Sequence, residues 1–210
     1  MRPEPVDFTD ALTGPVSPAF SIPFNSYALT RTGLKRIKSA SGTENGIDRP
    51  VIRTVSPRYG SRDFVFAVGV TIPENHGDIA YVGFGAGETN AALDNEPTRA
   101  LLFRIHNLPS IPFFQVDIVI GDPKGGRDYQ GQYRRFERFE KYTPGKPMRF
   151  EIVRRGDTVT LAAPAIPSAR VEFAANEFRN LFTDDEAYVF LANSSEGTTF
   201  TNASLTSPSK

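Results

Sequence analysis

In "QVDIVIGD", residues 115–122, the alternation sets Gln115, Asp117 and Val119 on one side of an extended chain and Val116, Ile118 and Ile120 on the other. Two further stretches repeat the pattern. "LLFRIHN" sets Arg104 and His106 together, opposite Phe103 and Ile105, and "MRFEIVRR" sets Arg149 and Glu151 together, opposite Phe150 and Ile152. If these strands lie side by side, Arg104, His106, Gln115, Asp117, Arg149 and Glu151 make one polar surface. Planar groups that bond through two atoms at once suit the paired hydroxyls of a sugar. The carboxylates invite a second chemistry. Retaining glycoside cleavage uses two carboxyls about 5–5.5 Å apart, one as nucleophile and one as acid/base. On this strand Gln115 cannot form the glycosyl ester and Val119 or Ile120 has no proton to give, so Asp117 stands alone. A cleaving site would have to draw on Asp117, Glu151 and His106 as acid/base groups, with Arg104 and Arg149 clamping the substrate. The plain alternative is a solvated or self-paired ion network, since the outer face of a sheet needs no function.

Other stretches carry less. In "GDPKGGRDYQGQYRRFERFEKY", residues 121–142, aromatic residues recur every third position from Tyr133 to Tyr142 among several arginines. Aromatic rings beside guanidinium groups stack bases or sugars. Six basic residues are offset there by four acidic ones, which argues against a nucleic-acid groove. A spacing of three fits neither strand nor helix, so the segment reads as a long loop entering a strand, with Tyr129 and Tyr133 the rings placed for sugar stacking. Trp, the usual stacking residue, is absent. "GDPKGG" lacks the order of a phosphate-binding loop, and "GFGAGE" lacks the strand–helix setting of a dinucleotide site. The only histidines are His76 and His106, without metal-binding spacing, and there is no cysteine, so thiol catalysis, disulfides and cysteine zinc sites are excluded. The loop Gly87–Pro97 holds Glu88, Asp94, Asn95 and Glu96 and could take a structural calcium ion, though its spacing matches no EF-hand. No other cofactor is expected. Asn193-Ser-Ser and Asn202-Ala-Ser fit the glycosylation sequon.

The elements that must position these residues are strands. The 210 residues include 17 Phe, enough for a sizeable core, while 17 Gly and 17 Pro imply many turns and few long helices. Strand patterns run over Gly33–Lys38, Pro50–Val55, Asp63–Ile72, Asp78–Gly87, Ala100–Asn107 and Phe113–Asp122. Met148–Arg154 and Thr158–Ala162 make a hairpin about Arg155, Gly156 and Asp157, and two strands close the chain. Residues 175–182 read as the one short helix. The pattern predicts an all-β, two-sheet antiparallel sandwich, a single domain over residues 8–206 with flexible ends at 1–7 and 207–210. Phe64, Phe66, Phe150, Ile152 and Phe190 are the expected core. Lys+Arg and Asp+Glu each number 24, which disfavours nucleic acid as a partner. No apolar run is long enough to span a membrane. The opening "MRPEPVDF" lacks a signal-peptide core, so either a leader has been removed and the chain works outside the cytoplasm, or it is cytoplasmic.

"PGKPMRFEIVRRGDTVTLAA" followed by "AYVFLANSSEGTTFTNASLT", with Gly197, Phe200 and Asn202 in a G-x-x-F-x-N ending, resembles the closing strands of concanavalin A-like lectin and glucanase jelly rolls. "LLFRIHN…FFQVDIVI" is similar to the adjacent strands, as in keto-disaccharide hydrolase-type and laminarinase-like domains. The resemblance spans residues 63–206 and rests on strand order and turns; laminarinase-type enzymes carry an E-x-D-x-E strip that this chain lacks. It implies a jelly roll with an oligosaccharide or polysaccharide on its concave sheet, a first strand pairing near the C-terminus, and a calcium position where this chain has the neutral Asn202. Three functions follow: a non-catalytic, lectin-like carbohydrate-binding module; a glycoside hydrolase or lyase of non-standard mechanism; and a structural or protein-interaction domain. The oligomeric state is not legible.

Overall fold

The computed structural model describes residues 20–23, 26–37, 51–57, 59–75, 77–90, 96–108, 111–119, 133–139, 142–194 and 196–206. The elements run β1 (Phe20–Ser21), β2 (Tyr27–Thr30), β3 (Gly33–Arg36), β4 (Ile52–Thr54), β5 (Phe64–Thr71), β6 (Asp78–Asn90) and β7 (Glu96–Leu108). They continue through β8 (Ile111–Val119), β9 (Tyr133–Phe139), β10 (Met148–Arg155), β11 (Thr158–Ala162), β12 (Arg170–Ala174), α1 (Ala175–Phe178), β13 (Tyr188–Asn193) and β14 (Thr199–Thr206). Two seven-stranded antiparallel sheets result. The first has the order β1-β4-β13-β6-β7-β8-β9 and the second β12-β11-β10-β5-β14-β3-β2. The first strand, β1, pairs with β4 and not near the C-terminus as the resemblance implied; it is the third, β3, that pairs with the last strand, Leu34 opposite Phe200.

Alternation decides the faces. On β7 and β8, Leu101, Phe103, Ile105, Phe114, Val116 and Ile118 point between the sheets, where they meet Phe64, Phe66, Phe150 and Ile152 of β5 and β10. Phe103 and Phe114 both contact the Phe150 ring, at centroid distances of 4.9 and 5.4 Å. The β10–β11 hairpin turns at Gly156, whose φ of +54° is a conformation that glycine adopts without a Cβ clash.

Three further expectations change. Phe190 is buried, but outside the inter-sheet core: it belongs to a second apolar cluster with Tyr81, Ala100, Leu102, Val119 and Ala192, on the outer face of the first sheet. It lies over Gly83, its cross-strand partner, where any Cβ would collide with the ring. The helix is shorter than residues 175–182. After Phe178 the chain turns, because the rings of Phe178 and Phe182 both pack against Phe84, at 6.5 and 5.1 Å. Residues 133–139 form a strand where a loop was expected, since pairing with β8 satisfies their backbone whatever the aromatic spacing.

One buried polar knot joins the sheets. Asp78, at the start of β6, is 2% exposed. Its carboxylate accepts hydrogen bonds from the Ile79 and Ser194 backbone N–H groups at 2.7 and 3.1 Å. It also accepts from the Ser194 hydroxyl at 2.9 Å, the Asn193 amide at 2.9 Å and the Thr198 hydroxyl. Asn193 in turn accepts from the Tyr27 hydroxyl of the second sheet at 2.8 Å, and the Arg36 guanidinium lies over the Tyr27 ring. Burial pushes the Tyr27 phenol up to about 12, so it stays a donor at neutral pH. Asn193, the first residue of one sequon, is thus buried and bonded.

Asp78→Ala would leave these donors facing an apolar side chain. It is expected to cost about 3–5 kcal/mol in urea melts, as loss of one partner in a buried charged network does. A loss below about 1 kcal/mol would show that the knot does not join the sheets.

Candidate functional site

The register of the first sheet assembles a polar row on its outer face. Tyr81 of β6 stands opposite Arg104 of β7, Arg104 opposite Gln115 of β8, and Gln115 opposite Arg138 of β9. One step along β8, Asp117 sits opposite Leu102, and His106 is paired with Phe113. So four of the expected residues, Arg104, His106, Gln115 and Asp117, share one face. Arg149 and Glu151 do not join them. β10 pairs with β5 and β11, so these two lie on the second sheet, bonded to each other at 3.0 Å. Their alternation is as expected, but alternation names a face and not the sheet that carries it.

The outer face is also drier than a solvated surface. Asp117 is fully buried, and Gln115, His106 and Arg104 are 6, 8 and 9% exposed. A carboxylate cannot be buried alone without a large desolvation cost. Arg104 Nε lies 3.2 Å from Asp117 Oδ2, and the Gln115 amide donates to both Asp117 oxygens, at 3.0 and 3.3 Å. The Arg104 guanidinium also lies 5.9 Å from the centre of the Tyr81 ring, whose cation-attracting face supports it. Asp117 therefore holds Arg104 and Gln115 in fixed orientations.

His106 is different. Its ring stacks on Phe113 at 4.3 Å and 18°, yet both Nδ1 and Nε2 are buried without a hydrogen-bond partner. Burial first, then the charges of Arg104 and Arg138, push the imidazole down to about 4. It is neutral at pH 7, with one nitrogen able to donate and the other to accept. The Arg138 guanidinium lies 4.0 Å from the centre of the same Phe113 ring. Arg138 is exposed and Phe113 half-buried, so this face opens at its β8–β9 side.

Tyr81 and Arg138 were not among the expected site residues. "DIAYVGFGAG" is apolar or small on both faces, which hid Tyr81 among core residues, and the three-residue aromatic spacing around Arg138 masked a strand. Phe139 and Tyr142 of that segment turn inward: Phe139 stacks on Phe114, and the Tyr142 hydroxyl accepts from the Ile72 N–H at 2.7 Å. Tyr133 lies in β9, while Tyr129, His76, Asp94 and Asn95 lie outside the described residues. Asn202, at the expected calcium position, sits in a bulge of β14 with φ of +47°. Among the described residues no three His, Cys, Asp or Glu side chains gather to hold a metal ion, and no helix is long and apolar enough to cross a membrane.

The shift of His106 has a consequence for stability. The folded protein keeps the imidazole neutral well below its ordinary value of 6.5, whereas the unfolded chain binds the proton there. Its contribution is therefore whole above about pH 6.5 and lost as pH falls toward about 4. Urea melts of the wild type should weaken across that window, and His106→Gln should flatten the slope. Equal slopes would mean that His106 is not held neutral.

No protein-family model and no curated protein matches the sequence. Solved structures do. The carbohydrate-binding module CBM66 from Bacillus subtilis is similar over 90% of this chain and 96% of its own, at 12% identity and a TM-score of 0.53. An alginate lyase from Pseudomonas aeruginosa is similar over 88% of this chain and 86% of its own, at 14% identity and a TM-score of 0.56. With the two seven-stranded sheets, these likenesses show that the chain has the concanavalin A-like jelly-roll fold.

Proposed function

We propose that the chain binds an oligosaccharide or polysaccharide on the outer face of its first sheet and does not cleave it. The observation that carries this reading is the row Arg104–Gln115–Arg138 with the imidazole of His106 beside it. Asp117 pre-orients Arg104 and Gln115, and the neutral imidazole has two nitrogens without a hydrogen-bond partner, which a sugar reaches only if the face opens, since both are buried. Sugar hydroxyls, which donate and accept, are the complement of such a surface. Phe113 supplies an apolar ring at the open side, where a sugar ring can stack. The two similar structures, named as a carbohydrate-binding module and an alginate lyase, fit a glycan partner. Polysaccharide is met chiefly outside the cytoplasm, and we read the chain as working there.

The non-catalytic part rests on the carboxylates. Asp117 is engaged by Arg104 and Gln115, and Glu151 is on the other sheet, so these two cannot flank one glycosidic bond. The competing reading is a lyase, in which the neutral imidazole of His106 would take a proton from a sugar carbon; the burial and cations that hold it neutral also make it a weak base.

Titration calorimetry against oligosaccharides separates these readings. Gln115→Ala should weaken binding by about 1–3 kcal/mol, as loss of a buried hydrogen-bonding partner does, with an unchanged circular dichroism spectrum. An oligosaccharide that accumulates unsaturated product with the wild type but not with His106→Gln would replace the binding reading with the lyase. No affinity for any glycan would reject both.

A further inference from the structure

Arg154 interrupts the apolar row of β10. Phe150 and Ile152 face the core, and Arg154 takes the next inward position, where it is 8% exposed. Its Nε and Nη1 donate to the backbone oxygens of Gly156 and Tyr59, at 3.3 and 3.4 Å, and its guanidinium lies 5.9 Å from the centre of the Phe178 ring. Nη2 has no hydrogen-bond partner among the described residues. Arg154 lines a cleft of about 560 Å³, together with the buried rings of Phe178 and Phe182 and the exposed Ser61, Thr183 and Asp184. That is the size of a small-molecule site.

Burial pulls the guanidinium below its ordinary value, and Asp184, then Asp63 and Asp157, oppose that shift. Two of these carboxylates are engaged. Asp63 accepts from the Gly156 N–H at 2.7 Å and Asp157 from Arg179 at 3.1 Å. Asp184 has neither hydrogen bond nor ion pair among the described residues. Its backbone is pressed against Gly60, where a Cβ would collide with it, so the root of its side chain is fixed beside the cleft. A guanidinium and a carboxylate thus share one cleft without closing on each other.

We propose that this cleft is a second sugar site, separate from the first-sheet face, which takes neighbouring hydroxyls of a neutral saccharide between Arg154 and Asp184. A simple anion there would meet the field of Asp184, Asp63 and Asp157, and a simple cation that of Arg154. A hydroxyl both donates and accepts, so a pair of them answers the guanidinium and the carboxylate at once. Bonds to charged groups are the stronger ones, and both of these groups bond through two atoms. Ser61 and Thr183 add hydroxyls that can follow either sense of bond, and the two phenylalanine rings give the C–H face of a sugar an apolar floor. The cleft shares only its class of ligand with the first-sheet reading, and either can fail without the other.

The test is a set of nitrogen–proton correlation spectra of the full, labelled chain. The probes are the methyl glycosides of glucose, galactose and mannose, with fructose, and sodium acetate and ethylammonium chloride as the simple ions. At least one sugar should shift the backbone amides of Ser61, Gly156 and Thr183 in a saturable way, and the two ions should not. Asp184→Ala, a change at an exposed side chain, should weaken that sugar about tenfold or more and leave the melting curve in place. Arg154→Lys, which keeps the charge and loses the fork, should weaken it as well. Cleft amides that no sugar moves, or an affinity that Asp184→Ala leaves unchanged, would overturn the second site; a response of the His106 ring to oligosaccharide would then leave the first-sheet reading standing. Cleft amides that respond to sugar while His106 does not would keep this site and reject the first-sheet face. A response to acetate or ethylammonium alone would overturn the sugar and make the cleft an ion site.

Discussion

The Asp78 carboxylate, at the entrance to β6, accepts hydrogen bonds from two backbone N–H groups and from the side chains of Asn193, Ser194 and Thr198. Through Asn193 it reaches Tyr27 on the other sheet. Burying a carboxylate is tolerable only when its oxygens are filled in this way, so the demand is local and strict. Its effect is long-ranged. Asp78 pins the first residue of β6 against the end of β13, and the β6 register then sets β7, placing Tyr81 opposite Arg104. A slip of one residue would turn Phe103 and Ile105 outward and Arg104 and His106 into the core.

The first sheet is buried on both faces around its centre, and the two faces solve that differently. Between the sheets the solution is aromatic packing. On the outer face it is an apolar cluster about Phe190 and Tyr81, then a polar strip of matched pairs. Asp117 and Asp78 are both buried carboxylates, yet their partners differ. Asp78 accepts from the neutral groups of Ile79, Asn193, Ser194 and Thr198, which ties backbone segments together. Asp117 has a guanidinium and an amide, which it orients toward the same face as His106. A site built on strands in this way, of which β9 is the edge of the sheet, is stiffer than one built on loops, and stiffness would lower the ordering cost of binding a flexible sugar.

Much of this was legible in the sequence, and the failures have definite causes. The alternation of "LLFRIHN", "FFQVDIV" and "MRFEIV" assigned inward and outward residues correctly on β7, β8 and β10, and the expected core residues Phe64, Phe66, Phe150 and Ile152 are in the inter-sheet core. The hairpin at Gly156 also holds, whereas the first strand pairs with β4 and not near the C-terminus. The partition of strands between sheets was not legible for β10. Its pattern would be the same on either sheet, and the pairing with β5, distant in sequence, depends on contacts no local pattern contains. The dryness of the outer face was missed for a related reason. A polar residue on an alternating strand looks solvated until its partner on the next strand is known, and Asp117 needs Arg104 and Gln115 to be buried.

The central claim is that sugar meets the strip beside Asp117. The chain has two histidines, so the imidazole region of its proton–carbon correlation spectrum is simple, and His106→Gln assigns the signals. Titrating oligosaccharide into labelled protein at pH 7 should move the His106 ring resonances in a saturable way, because its ring nitrogens gain a partner. Saturable binding that leaves the His106 resonances in place would contradict the account, since the sugar would then be bound elsewhere on the jelly roll.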